Sequence, residues 1–322
     1  MKRAGQLQIS VVVPVFNEAG NVAPLLHEID RAVQSLGAEY EILFVNDGSQ
    51  DTTLAELQAE LARVPRLRII DLEHNVGEAG ALSAGFSAAR GQWIVTLDGD
   101  GQNDPADIPR LWRVAQKGYS AVSGWRRKRQ EGWFLRVLPS RAANALIRWV
   151  TGVPVHDNGC GLKVYRAEVA KRVQLPRGFN RFLPAILGVQ ASEVAEVEVT
   201  DRRRQHGQSH YGLSRTFVVM RDLLAIPFIL RNPELFHRFW STATMVALVA
   251  GVTAAMLGFA WFALACVPVM ALSATIWWNL DRFLRAQRDG VFRIRREFSR
   301  LTSVEDASAP GRAEASGAAR PC

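Results

Sequence analysis

The chain has 322 residues, 48% of them hydrophobic and 22% charged, which excludes a wholly disordered polymer and leaves ample material for a core. Three scattered cysteines, Cys160, Cys266 and Cys322, argue against a disulfide framework or a cysteine-based zinc site and fit a reducing compartment. A net charge of +8 admits nucleic acid, an anionic membrane surface or a phosphorylated substrate, and the placement of the arginines must choose among them.

Met1 to Gln8 carries two basic residues and runs straight into a strand-like stretch without a small-residue cleavage site, so it does not read as a signal peptide. From residue 9 to 125, β-branched runs alternate with amphipathic stretches, the pattern of an α/β domain with a largely parallel sheet. The runs ISVVVPVF, EILFVND, LRIIDL, QWIVTLD and SAVSGW predict strands. Helices are predicted between them over Asn21 to Ser35, Thr52 to Arg63, Gly80 to Arg90 and Ala106 to Lys117. Ligands of such sheets gather beyond the carboxyl ends of the strands, which is where Asn17, Glu18, Asp47, Asp98 and Asp100 fall.

Residues 126–215 are more basic and less regular, and Leu213 to Leu230 reads as one amphipathic helix. Trp240 to Trp278 contains no charged residue. One membrane helix needs roughly 20 apolar residues, so this run predicts two, about 240–258 and 261–280, joined near Gly258 to Trp261. Arg221, Arg231 and Arg238 precede the run and Arg282, Arg285, Arg288 and Arg293 follow it, which predicts that both ends are cytoplasmic. The tail from 281 is basic and then, from Thr302, rich in Ala, Gly, Ser and Pro, a composition that predicts disorder.

The predicted fourth strand ends on TLDGDGQNDP. Asp98 and Asp100, one residue apart in an extended segment, would point to one side, and their repulsion calls for a positive partner. A hard divalent cation fits, because Mg2+ or Mn2+ takes oxygen ligands and leaves places for substrate phosphates. Gln102 can add an amide oxygen. An acidic turn explains the same residues, and the pair alone does not decide between the two.

VVVPVFNEAGN, FVNDGSQDTT and this segment together resemble the inverting family 2 glycosyltransferases of the GT-A fold, in particular the polyprenyl-phosphate group typified by dolichol-phosphate mannosyltransferase. The resemblance covers about Ile9 to Leu224 and implies a catalytic domain over 1–212, juxtamembrane helices over 213–238, a membrane hairpin over 239–280 and a tail over 281–322. It also implies that Pro14, Phe16, Asn17, Glu18, Val45, Asp47 and Asp98 line the nucleotide, and that Asp98, Asp100 and Gln102 hold the metal. HNVGEAGALSAG matches a loop of the family, which adds Asn75 and Gly77 to the nucleotide pocket, although relatives often carry lysine where this chain has Glu78.

HDNGCGLKVYRAEV resembles a further family segment, so that Asp157, Gly159, Gly161, Lys163 and Arg166 are expected to frame the sugar and acceptor side. Arg126 and Arg181 occupy positions that are basic in relatives. RQHGQSHYG matches a loop that covers the diphosphate or receives the acceptor phosphate, which brings in Arg204, Ser209 and Tyr211. Asp100, Arg126, Asp157 and Arg204 are the residues expected to carry catalysis, and Lys163, Arg181, Ser209 and Tyr211 to bind acceptor.

The resemblance implies transfer of a sugar from a UDP- or GDP-linked donor to a polyprenyl phosphate at the inner membrane, with a catalytic domain in the cytoplasm and a homo-oligomer as one option. A processive polysaccharide synthase shares the nucleotide motifs, but the Q-x-x-R-W acceptor motif is not found: Ala145 stands three residues before Arg148-Trp149. A catalytically inactive, membrane-tethered sugar-binding scaffold would not need the carboxylates. Nucleic acid is disfavoured, because the arginines cluster beside the apolar run and the expected phosphate site.

Overall fold

The computed structural model describes residues 7–127, 138–202 and 213–300. In chain order the first part runs β1 (Ile9–Val15), α1 (Val22–Gln34), β2 (Tyr40–Asn46), α2 (Thr53–Glu60), β3 (Leu67–Leu72), α3 (Glu78–Ala88), β4 (Trp93–Thr96), α4 (Ile108–Ala115) and β5 (Ala121–Trp125). It continues through α5 (Leu138–Thr151), β6 (Lys163–Arg166), α6 (Ala167–Ala170), α7 (Leu183–Ile186) and β7 (Val194–Glu198). The remainder is α8 (Leu213–Leu223), α9 (Ile226–Arg231), α10 (Pro233–Met256), α11 (Ala260–Asp289) and β8 (Ile294–Ser299).

The eight strands form one sheet in the order β7-β5-β6-β4-β1-β2-β3-β8. Strands β4, β1, β2 and β3 are parallel, whereas β6 runs antiparallel between β4 and β5 and β8 runs antiparallel to β3. Period-two alternation divides the strand side chains between two cores. Val12, Leu43, Val45 and Ile70 face the layer of α3, while Val11, Val13, Ile42, Phe44 and Ile69 face α1, α2 and α4. Helix α3 sits very close to the sheet because it carries Gly85, where a Cβ would lie 2.2 Å from Val12 Cγ1.

Several local readings change. The single amphipathic helix expected over Leu213 to Leu230 is two helices, α8 and α9, divided at Ala225 beside Pro227, whose ring and missing N–H cannot continue a helix. The basic stretch after residue 281 is ordered: α11 extends to Asp289 and β8 then joins the sheet edge. Its charges hold it there, with Glu297 accepting from Arg68 at 2.7 Å and Arg295 lying 3.4 Å from Asp71. Strand β4 stops at Thr96, so Asp98 and Asp100 stand on a turn, with Gly101 at φ 72°. A further reading, Val45, belongs to the site.

Helices α10 and α11 are each long and apolar enough to cross a membrane. They pack against each other, with Thr244 donating to Ser273 at 3.1 Å, and connect through Leu257-Gly258-Phe259, where Gly258 takes φ 81°. Trp261, Phe262, Leu264 and Val252 project outward from the pair, as lipid-facing side chains do.

Candidate active site

Beyond the ends of β1 and β2, two loops are stitched together. Asn17, the one non-glycine residue with positive φ among the described residues (53°), accepts from Gln50 N–H at 2.8 Å, and its own N–H donates to Ser49 Oγ at 3.0 Å. The Glu18 N–H donates to Thr53 Oγ1, and its carboxylate accepts from Asn21 Nδ2 at 2.7 Å. Phe16 stands exposed beside this seam. Val45, expected at the nucleotide, is instead wholly buried under α3 with one methyl against Gly85: strand alternation turns it from the loop into the core.

Asp47 anchors the next loop. Its carboxylate accepts from the Val76 N–H at 2.7 Å and the Gly77 N–H at 2.9 Å, while Asn75 Nδ2 donates to its carbonyl at 3.1 Å. Burial pushes the Asp47 carboxyl up, and the two N–H groups, Arg177 and His74 pull against it. Gly48, at φ 70°, fits only because it has no Cβ, which would come within 2.9 Å of Asn75 N.

The carboxylates of TLDGDG sit between these loops and the β6 side. Gly99 packs where a Cβ would strike Val15 Cγ1 at 2.6 Å and the Pro14 carbonyl oxygen at 3.0 Å, so this turn closes directly on the end of β1. Asp100 accepts from Gln102 N–H at 3.1 Å. Asp98 lines a cavity of about 50 Å³ together with Glu78, Gly161, Lys163, Asn180 and Arg181. Burial, then Glu78 and Asp100, push the Asp98 carboxyl up to about 8, against the opposing pull of Arg126 and Lys163. Gly161 packs directly against that carboxylate, and a Cβ there would lie 2.2 Å from it. Asp98 and Asp100 offer carboxylate oxygens of the kind a hard cation takes, while among the described residues no cluster of three or more His, Cys, Asp or Glu side chains stands assembled for one.

Across the cavity, buried charges hold one another. Arg126 Nε donates to Asp157 Oδ2 at 2.8 Å, and Nη1 lies 3.8 Å from Asp201 Oδ1. Burial disfavours the Arg126 charge, but Asp157 outweighs it and holds the guanidinium protonated. Lys163 Nζ donates to the Asn158 carbonyl at 3.0 Å, and burial pulls its pKa down while Cys160, Asp98 and Asp157 resist. Cys160 is buried and its thiol is pushed up to about 12, chiefly by burial, which makes it inert packing.

Arg166 is not here. Lys163 pairs with Thr96 and Arg166 with Trp93, so the antiparallel course of β6 carries Arg166 to the far end of the sheet, 4.8 Å over the Trp93 ring. Sequence reasoning missed Asn180, which donates to Glu78 Oε1 at 2.6 Å and so gives that carboxylate a partner. It also missed Arg202, whose N–H donates to the Gln102 carbonyl at 2.8 Å and whose guanidinium reaches Asp104 and Glu28 at 2.7 and 2.6 Å. Arg204, Ser209 and Tyr211 lie outside the described residues.

Residues 10–174 match the family model described as Glycosyl transferase family 2. The chain belongs to that family. It is 42% identical over 258 residues to dodecaprenyl-phosphate galacturonate synthase of Rhizobium johnstonii, an alignment that covers 79% of this chain and 76% of that one. It is 39% identical over 218 residues to undecaprenyl-phosphate 4-deoxy-4-formamido-L-arabinose transferase of Edwardsiella ictaluri, covering 67% and 66%. Among solved structures it is similar to glucosyl-3-phosphoglycerate synthase from Mycobacterium tuberculosis in complex with Mn2+ and UDP-glucose, at TM-score 0.53 and 22% identity, covering 69% and 78%. That likeness establishes the GT-A fold. The chain is a family 2 glycosyltransferase with two helices fit for a membrane.

Proposed function

We propose that this glycosyltransferase moves one sugar, with inversion, from a nucleotide-sugar donor to a polyprenyl phosphate at the cytoplasmic face of the membrane. The observation that carries the reading is the convergence of the Asp98-Asp100 turn, the Asp47 loop and the Lys163-Arg181 cavity beyond one end of the sheet of a chain that also bears an apolar hairpin. Both relatives are named for transfer to a polyprenyl phosphate, which supports the acceptor.

A polyprenyl monophosphate has a second pKa near ~6 and is largely a dianion at neutral pH, so it needs aiming and charge screening more than a base. One of its oxygens attacks the anomeric carbon from the back, the bond from that carbon to the diphosphate breaks, and the nucleoside diphosphate leaves with the bonding pair. Asp98, Asp100 and Gln102 would hold Mg2+ or Mn2+, which would supply positive charge for the departing diphosphate. The Asp47, Asn75 and Asn17 loops hold base and ribose by shape. Lys163 and Arg181 supply positive potential beside the reacting centre. Arg126, locked to Asp157, fixes that wall of the cavity and sustains its potential, while Arg204, Ser209 and Tyr211 receive the acceptor phosphate. Arginines on both flanks of the hairpin support a catalytic domain on the cytoplasmic side of two crossings.

The test is a panel of UDP- and GDP-linked sugars, UDP-galacturonate and UDP-4-deoxy-4-formamido-L-arabinose among them, offered with undecaprenyl phosphate to the detergent-purified protein. The expected product by mass spectrometry is a lipid carrying a single sugar. Nucleotide binding without any lipid product across the panel would overturn the reading in favour of a binding scaffold, and lipids bearing sugar chains would favour a processive synthase.

A further inference from the structure

Arg177 takes no part in the chemistry described above, yet it touches both the nucleotide loop and the membrane hairpin. Its guanidinium donates through Nη2 to Asn75 Oδ1. It also covers Gly77, where a Cβ would meet Arg177 Nε at 2.6 Å and Cγ at 3.0 Å. Asn75 and Gly77 both fasten Asp47, through the 3.1 Å bond to its carbonyl and the 2.9 Å bond to its carboxylate.

On its other side, the Arg177 carbonyl accepts from Arg282 Nη2 at 2.5 Å. Arg282 belongs to α11, one turn beyond the charge-free run, and lies 4.5 Å over the ring of Trp278. Arg221 of α8 stacks on the same indole at 4.7 Å, and Asp222, which is buried, accepts from Arg221 at 2.7 Å and lies 3.7 Å from Arg282. Asn279, also buried, donates to the Arg221 carbonyl at 3.3 Å. Gly178 closes the joint from the Arg177 side, since a Cβ there would come within 3.0 Å of Asp222 Oδ2.

The contacts are therefore continuous from the foot of α11, through Arg282 and Arg177, to the loop that holds Asp47. Within this joint a shift of α11 moves the Arg177 main chain, and the rigid fork of a guanidinium carries that movement to Asn75 and Gly77. We propose that Arg177 is a positioning residue for donor binding, braced by Arg282, so that the seating of the apolar hairpin sets the shape of the nucleotide pocket. The proposal rests on the transfer reading above and adds a specific link between the hairpin and donor affinity.

The experiment measures binding of UDP and GDP with Mn2+ to the full-length protein by titration calorimetry, and kcat and donor KM in the lipid-transfer assay. Arg177→Ala is expected to raise Kd about tenfold, about 1.4 kcal/mol, and to raise KM with kcat within about threefold, the signature of lost ground-state positioning. Arg282→Ala is expected to raise Kd in the same direction by less, and the double variant to bind no more weakly than Arg177→Ala alone, because both act through one contact. Arg282→Lys keeps the charge beside Asp222 but cannot reproduce the fork by which Arg282 donates to Asn279 Oδ1 at 3.2 Å and to the Arg177 carbonyl; it serves as the milder variant should Arg282→Ala unfold, and the same weakened binding is expected of it. Unchanged Kd in Arg177→Ala, additive losses in the double variant, or a fall in kcat with Kd unmoved would each overturn the proposal. Wild-type protein that binds neither nucleotide would overturn the transfer reading itself, whereas wild-type binding matched by Arg177→Ala sinks only the positioning role.

Discussion

On the β1–β3 side of the site, loops are held by backbone N–H groups bonded to short polar side chains; on the β5–β6 side, buried charges are held by one another. Asn17, Ser49, Thr53 and Asp47 make the first side stiff through local bonds between neighbouring loops. Arg126, Asp157 and Asp201 make the second side electrically strong, with ion pairs sheltered from water. The difference suits the two parts of a nucleotide sugar. A base and ribose are recognised by shape and neutral hydrogen bonds, and a diphosphate by charge in a low-dielectric wall.

The contrast is open to attack by substitution. Asp157→Ala leaves the buried Arg126 guanidinium without its main partner and is expected to cost about 3–5 kcal/mol, read as a large fall in apparent melting temperature in detergent. Gly161→Ala drives a methyl into the Asp98 carboxylate, and a misplacement of that size is expected to cut transfer about 10²-fold while binding of the bare nucleoside to the opposite loops weakens far less; equal losses in both assays would mean that the two sides are not separable. Asn17→Ala breaks one bond of the loop seam at positive φ and is expected to cost roughly 1 kcal/mol, with Asn17→Gly milder because glycine tolerates that conformation. A cost for Asn17→Ala as large as that for Asp157→Ala would erase the distinction.

The smallest effect concerns pH. An unfolded cysteine ionises near about 8.5, whereas burial pushes Cys160 up to about 12, so the fold favours the neutral thiol. That contribution to stability is complete below the unfolded value and is lost as pH rises towards the folded one. Iodoacetamide at pH 9 is expected to leave Cys160 unlabelled in peptide maps of the folded protein and to label it once denaturant is added; rapid labelling of the native chain would contradict the burial.

The β1–β3 side was legible in the sequence because its bonds are made by residues within a few positions of a strand end. Asn17, Ser49 and Asp47 act where the chain leaves the sheet, and a motif captures that. The other side depends on partners far apart in the chain. Arg126 meets Asp157 across 31 positions, and the antiparallel turn of β6 keeps Lys163 at the site while carrying Arg166 away from it. Strand β8 escaped notice because IRREFS shows no buried run; it is attached by an antiparallel ladder to β3, with ion pairs to Arg68 and Asp71. Val45 shows the limit of a motif, since one position along a strand exchanges the ligand for the core. Arg177 lay in LPRGFNR, where Arg181 drew attention and the contact to α11 had no local trace.

Metal-dependent transfer by an Asp100→Ala variant tests the central claim most directly. With undecaprenyl phosphate, the productive nucleotide sugar and Mn2+, the account predicts that the folded variant loses on the order of 10³-fold or more in product, as expected when several kcal/mol of charge stabilisation are removed, and that a chelator reduces the wild type to the same level. A folded Asp100→Ala protein that transfers sugar at the wild-type rate would contradict a metal-bound diphosphate at the end of β4.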